Sequence, residues 1–128
     1  MAVGIVLVSH SPQLAAGLQL LAGQMAGPDV HIEPAGGGPD GGLGTSETLV
    51  RQAMAQADQG EGVLLLCDLG SSILTVREIL GGNGNGHFRL VDAPFVEGAV
   101  AAAVVASSGA SLDEVARAAE DARDARKL

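Results

Sequence analysis

The sequence predicts an α/β protein built on a single doubly wound, mainly parallel sheet flanked by helices. Three observations carry that expectation. Strand-like runs alternate with helix-like runs from end to end. Two of the strand-like runs, Val3–Val8 and Val63–Cys67, are continuously apolar, as strands covered on both faces are. The resulting order βαβαβαβα supplies the crossover that parallel neighbours require, and such crossovers are right-handed.

The elements follow one another without a linker. After the first strand, residues from about Ser11 to Met25 read as a helix carrying Leu14, Leu18, Leu21 and Met25 at helical spacing. Val30–Pro34 alternates Val30 and Ile32 with His31 and Glu33, the pattern of an edge strand with one wetter face. A glycine-rich loop, Gly36–Gly44, leads to a helix starting near Thr45/Ser46, with Leu49, Val50, Ala53, Met54 and Ala57 along one stripe. Val63–Cys67 is followed by Asp68-Leu69-Gly70-Ser71-Ser72 and a helix to about Leu80. Gly81–Gly86 reads as a spacer loop, and Phe88–Val91 as the fourth strand, closed by Pro94. Helices of roughly 96–107 and 112–126 end the chain, the last opening on a capping-box pattern, Ser111 to Glu114.

Bulk properties narrow the function. A chain of 128 residues suits one compact domain, so residues 1–128 are expected to form a single unit. Apolar residues make up 47% and aromatics only 2%, so the core must be aliphatic. The net charge is −8, and four of the seven basic residues (Arg117, Arg123, Arg126, Lys127) fall in the last dozen positions. That argues against nucleic acid, which needs a basic stripe. The lone cysteine, Cys67, precludes an internal disulfide and a thiol-based zinc framework. The apolar N-terminus lacks a basic leader and is too short to span a membrane, so a cytoplasmic protein is expected.

In open parallel sheets the functional site lies beyond the carboxyl ends of the strands, where strand order switches. Those ends present Ser9-His10-Ser11, the glycine loop running into Thr45-Ser46, Asp68-Leu69-Gly70-Ser71-Ser72, and Asp92-Ala93-Pro94. His10 stands between a strand and a helix N-terminus, whose free N–H groups and dipole favour an anion. Neutral imidazole is a good nucleophile near neutral pH, and a carboxylate on one ring nitrogen would leave the other free to attack. Asp68 is the candidate for that carboxylate. Ser11, Thr45, Ser46, Gly70, Ser71 and Ser72 are candidates for holding phosphate oxygens. Taken alone, His10 reads first as a capping or solvent-facing histidine, and Asp68 equally as a residue that opens a helix; their joint placement with the Ser/Thr-rich turns at one edge reverses that preference. His31 and His87 fall away from this edge, and the histidines are too scattered to suggest a metal. Gly36-Gly37-Gly38 lacks the Lys-Ser/Thr of a nucleotide loop, and no Gly-x-Gly-x-x-Gly opens the first helix, so no cofactor is expected.

Five segments in order, Val6-Leu7-Val8-Ser9-His10-Ser11, Ala35-Gly36-Gly37, Gly44-Thr45-Ser46, Asp68-Leu69-Gly70-Ser71 and Val91-Asp92-Ala93-Pro94-Phe95-Val96-Glu97-Gly98-Ala99, resemble the phosphotransferase subunit of PTS-dependent dihydroxyacetone kinase, whose module is similar to the mannose-type EIIA domain. The resemblance runs to about residue 109. It implies a phosphohistidine relay in which HPr, charged by enzyme I from phosphoenolpyruvate, donates to His10. His10 would then phosphorylate ADP held on the nucleotide-binding kinase subunit. It also implies that Asp68 hydrogen-bonds one imidazole nitrogen and that the chain is a homodimer. The sequence departs from the family pattern at Gly38-Pro39 and in the glycine loop 81–86; it is expected to form one domain, whereas larger members append HPr-like and enzyme-I-like domains, so those partners are expected to be separate proteins. Two other readings stay open: a mannose-type EIIA component of a sugar transporter, and a regulatory module that uses phospho-His10 as a signal. A carrier must present its histidine to another protein, so Leu43, Leu69 and Phe95, which flank the motif loops, are expected either to rim a docking patch or to pack into the core.

Overall fold

The computed structural model describes residues 1–128. Its strands are β1 (Gly4–Ser9), β2 (Ile32–Gly36), β3 (Val63–Cys67) and β4 (Phe88–Leu90); its helices are α1 (Pro12–Ala26), α2 (Glu47–Ala57), α3 (Gly70–Leu80), α4 (Phe95–Ser107) and α5 (Leu112–Asp121), with a 3-10 turn at Ala122–Asp124. The four strands form one parallel sheet in the order β2-β1-β3-β4, as the alternation of elements predicted. Strand order reverses between β1 and β3. Their register pairs Val8 with Cys67, so the residues just beyond both strands emerge side by side.

Side-chain alternation on the central strands divides the core in two. Ile5, Leu7, Leu64 and Leu66 face α1, α4 and α5, where they meet Leu18, Ala22, Ala99, Ala103, Val115 and Ala119. Val6, Val8, Leu65 and Cys67 face the other way, onto Val50, Ala53 and Met54 of α2 and Val76 of α3. Both faces of β1 and β3 are thus covered, which is why those runs are apolar without a break.

Three expectations need correcting. On α1 the buried residues are Ala15, Leu18 and Ala22, while Leu14, Leu21 and Met25 face outward. The helix has no charged residue between Pro12 and Ala26, so hydropathy alone could not phase it. β2 runs two residues later than expected, with Pro34 inside it, an arrangement that an edge strand tolerates. Gly81–Gly86 is no mere spacer. Its Asn83 carbonyl accepts from Leu90 N (2.9 Å), Asn83 Oδ1 accepts from Arg77 Nε (2.9 Å), and Asn85 Oδ1 accepts from the N–H groups of His87 and Phe88. The loop folds back along β4 and occupies the exposed edge of that short strand.

Capping agrees with the sequence. Ser11, Ser46 and Ser111 cap α1, α2 and α5 through their hydroxyls, and Ser111 and Glu114 form the reciprocal capping box. No helix is long and apolar enough to cross a membrane.

Two glycines predict opposite signs for one substitution. A Cβ on Gly4 would lie 2.1 Å from the Ala57 carbonyl oxygen, whereas one on Gly17, in mid-α1, would meet nothing within 4 Å. In denaturant unfolding, Gly4→Ala is expected to destabilise the protein by about 1–3 kcal/mol. Gly17→Ala is expected to stabilise it by roughly 0.5–1 kcal/mol.

Candidate active site at the carboxyl edge of the sheet

The sheet brings His10 and Asp68 together at the switch point. Asp68 N donates to the Val8 carbonyl (3.1 Å), extending the β1–β3 ladder by one bond. The Asp68 carboxylate then receives five donors. Its Oδ1 accepts from Leu69 N (2.7 Å), Ser72 Oγ (3.0 Å) and His10 Nδ1 (3.0 Å). Its Oδ2 accepts from His10 N (3.0 Å) and Ser9 Oγ (2.9 Å). The Asp68 side chain is 9% exposed and the His10 side chain 23%. Burial by itself would raise the Asp68 pKa, but the hydrogen bonds from His10 N, the His10 ring, Ser9 and Ser72 outweigh it and hold the carboxyl below its ordinary value.

An ionised carboxylate only accepts, so the proton between Asp68 and His10 belongs to Nδ1. In the neutral ring Nε2 then carries the lone pair. Ser71 Oγ lies 2.5 Å from Nε2, and with the ring in that tautomer the hydroxyl is the donor. The ring is held edge-on at one nitrogen and faces outward with the other.

Around Nε2 the surroundings suit an anion. α3 begins at Gly70 with Leu69 as its cap residue, which offers no side-chain acceptor; Ser72 N donates to the Leu69 carbonyl (3.2 Å), and the N–H groups of Gly70 and Ser71 are left without a partner inside the helix. Neither α1 nor α3 has an acidic residue in its first turn. Beneath the site, Gly44 N donates to the His10 carbonyl (3.1 Å) and Gly37 N to the Ser9 carbonyl (3.0 Å). The approach of this loop requires glycine at Gly36, where a Cβ would lie 2.7 Å from Pro12 Cα.

The other predicted residues are placed unequally. Ser71 is at the ring, and Gly70 precedes it as the first residue of α3. Ser72 is fully buried, its hydroxyl shared between Asp68 Oδ1 and the Leu69 carbonyl. Ser11 Oγ accepts from Leu14 N, and Ser46, also buried, accepts from Leu49 N, so both hydroxyls serve as helix caps. Thr45 bridges to Gly37 by its backbone, and its hydroxyl is buried without a hydrogen-bond partner. His31 precedes β2, and His87 precedes β4 with its Nε2 2.9 Å from Asp58 Oδ1; both are at the opposite edge. Leu43 and Leu69 are exposed, whereas Phe95 is partly buried against the core on the α4–α5 side. Sequence reasoning passed over Ser9. It is the polar residue that ends a fully apolar strand, but its place beside Asp68 follows from the β1–β3 register, which residue type does not show.

Comparison with known proteins is consistent across sequence and structure. The EIIA-man family model, described as PTS system fructose IIA component, matches residues 4–116. The chain is 41% identical to the phosphoryl donor subunit DhaM of PEP-dependent dihydroxyacetone kinase 2 from Listeria innocua, covering 80% of this chain and 84% of that one. Against the phosphotransferase subunit DhaM of the PTS-dependent dihydroxyacetone kinase of Lactococcus lactis the identity is 30%, over 90% of this chain and 91% of the other. The Escherichia coli phosphoryl donor subunit DhaM is 36% identical over 98% of this chain, but this chain spans only 28% of that relative's length. The crystal structure of a protein of unknown function, EF1359, superposes with a TM-score of 0.81 at 34% identity, covering 94% of this chain and 95% of the other.

The Asp68 clamp predicts a pH signature. A carboxyl whose pKa is lower in the folded chain stabilises it wherever the unfolded carboxyl is ionised, above about pH 4, and loses that contribution as pH falls through the lowered folded value. Asp68→Asn is therefore expected to be less stable than the parent near neutrality, with the gap narrowing as the pH falls from about 5 to about 2. Denaturation midpoints measured across that range check it. A gap that stays constant throughout would mean that those hydrogen bonds do not depend on the charge.

Proposed function

The chain belongs to the EIIA-man family, among the phosphoryl donor subunits of PEP-dependent dihydroxyacetone kinase, and on that premise we propose that it is a phosphohistidine carrier acting through Nε2 of His10. The observation that carries this reading is the ring's placement: Nδ1 lies 3.0 Å from the Asp68 carboxylate and Nε2 faces outward beside Ser71. The donor is phospho-HPr, charged by enzyme I from phosphoenolpyruvate. The acceptor is ADP on the nucleotide-binding subunit of the kinase, which passes the group to dihydroxyacetone.

In the first half-reaction the Nε2 lone pair attacks the donor's phosphorus. The donor's P–N bond breaks, and its electron pair returns to the donor ring. The Ser71 hydroxyl, which donates to Nε2 in the free protein, turns to a phosphoryl oxygen, joined by N–H groups of the α3 first turn. Phosphorylated at Nε2 and protonated at Nδ1, the ring bears a positive charge that Asp68 balances without taking the proton. In the second half-reaction a terminal phosphate oxygen of ADP attacks, the P–Nε2 bond breaks, and its pair restores the original tautomer.

Residues 1–128 act in this reading as one carrier domain of a cytoplasmic relay. Exposed Leu43 and Leu69 form part of the surface that meets the partners. A homodimer is part of the same proposal. It is supported by the uncharged outer face of α1, where Leu14, Leu20, Leu21 and Met25 are exposed.

Incubation with phosphoenolpyruvate, enzyme I and HPr is expected to add one phosphoryl group by intact mass, and addition of the ADP-loaded kinase subunit to remove it. His10→Gln is expected to stay folded and take up none. A phosphoryl group that persists beside the kinase subunit would favour transporter or regulatory use. In the same assay Leu69→Asp is expected to raise the KM for HPr or for the kinase subunit severalfold. Phe95→Asp is expected to destabilise the fold, because its ring packs on the core.

A further inference from the structure

Nothing in the chemistry above uses Ser9, yet its side chain is fully buried and makes two directed hydrogen bonds. Its Oγ accepts from Ser11 N at 3.1 Å and donates to Asp68 Oδ2 at 2.9 Å. The hydroxyl therefore links the N-terminus of α1 to the carboxylate that holds the His10 ring. We infer that Ser9 is a positioning residue for phosphoryl transfer, one that fixes the rotation of the Asp68 carboxylate and through it the tautomer and orientation of His10.

The two carboxylate oxygens are held differently. Oδ1 has Leu69 N and Ser72 Oγ besides the ring, whereas Oδ2 has only His10 N and Ser9 Oγ. An aspartate carboxylate rotates in a broad, nearly two-fold potential about its last bond, so its orientation is set by its partners rather than by the side chain itself. Without the Ser9 hydroxyl, Oδ2 keeps one backbone donor, and the carboxylate can pivot about Oδ1, which Leu69 N and Ser72 Oγ still hold. The ring rests on Oδ1 alone and tilts with it, carrying Nε2 off its line to the incoming phosphorus. Misplacement on the scale of 1 Å costs such reactions up to about a hundredfold. The hydroxyl also does what a backbone donor cannot: it accepts the Ser11 N–H while donating, so that the partial positive charge of the α1 N-terminus supports the carboxylate through one polarised link.

The inference rests on the carrier reading, but one of its measurements does not. Nitrogen-15 NMR of the imidazole reads the His10 tautomer in the unphosphorylated chain, with no donor present. The parent is expected to show His10 protonated at Nδ1 alone, and Ser9→Ala to show a mixture of tautomers. Phosphoryl uptake from HPr is expected to slow roughly 10- to 100-fold in Ser9→Ala, in kcat with KM little changed. Ser9→Thr, which keeps the hydroxyl, is expected to keep the parent's tautomer. Ser111→Ala, which removes the distant α5 cap, supplies a variant of lowered stability with parental uptake. Parental tautomer and kcat in Ser9→Ala would overturn the inference, as would a mixed tautomer in a folded Ser9→Thr. A parent that shows the expected tautomer but takes up no phosphoryl group would instead refute the carrier reading and leave the role of Ser9 in holding the ring intact.

Discussion

The Asp68 carboxylate is where β1, β3 and α3 are tied to one another, and the site depends on that knot. A partly buried anion is stabilised by the donors that surround it. Asp68 draws them from both sides of the switch point: Ser9 and His10 at the end of β1, and Leu69 and Ser72 at the start of α3. These groups converge because β1 and β3 are adjacent, parallel and in the register that pairs Val8 with Cys67. That adjacency requires the chain to leave β1, build β2 on the far side, and return through α2 to β3. The aliphatic core on both sheet faces is what holds the register.

A second constraint is electrostatic. In the carrier reading, a chain of net charge −8 must make room for a phosphoryl group. Two features serve this: the first turns of α1 and α3 contain no carboxylate, and Asp68 meets the opposite ring nitrogen. The open N–H groups at the start of α3 then supply what positive field the site has. Glycine at positions 36 and 37 lets the second βα loop lie close against Pro12, so the His10 backbone is supported from below while the ring stays open above.

Much of this was legible in the sequence, for identifiable reasons. Val63–Cys67 is apolar throughout because it is central, and its limits were read correctly. His10 and Asp68 could be paired because a parallel sheet sends the ends of β1 and β3 to one edge. The phase of α1 could not be read, since a helix with apolar residues on most sides offers hydropathy no contrast, and small Ala15 and Ala22 face inward in place of Leu14, Leu21 and Met25. Nor could the sequence distinguish among the serines. Whether a hydroxyl caps a helix, as at Ser11 and Ser46, steadies a carboxylate, as at Ser9 and Ser72, or meets the ring, as at Ser71, depends on loop geometry finer than residue type.

The central claim is that the geometry selects one nitrogen of one histidine. It is tested most directly by phosphorylating the protein through phosphoenolpyruvate, enzyme I and HPr and locating the group by phosphorus–nitrogen correlation NMR on a chain with nitrogen-15-labelled histidine. Because Nδ1 is committed to Asp68 and Nε2 faces outward, a single correlation is expected, to Nε2 of His10. A phosphoryl group on Nδ1 of His10, or on His31 or His87, would contradict the account.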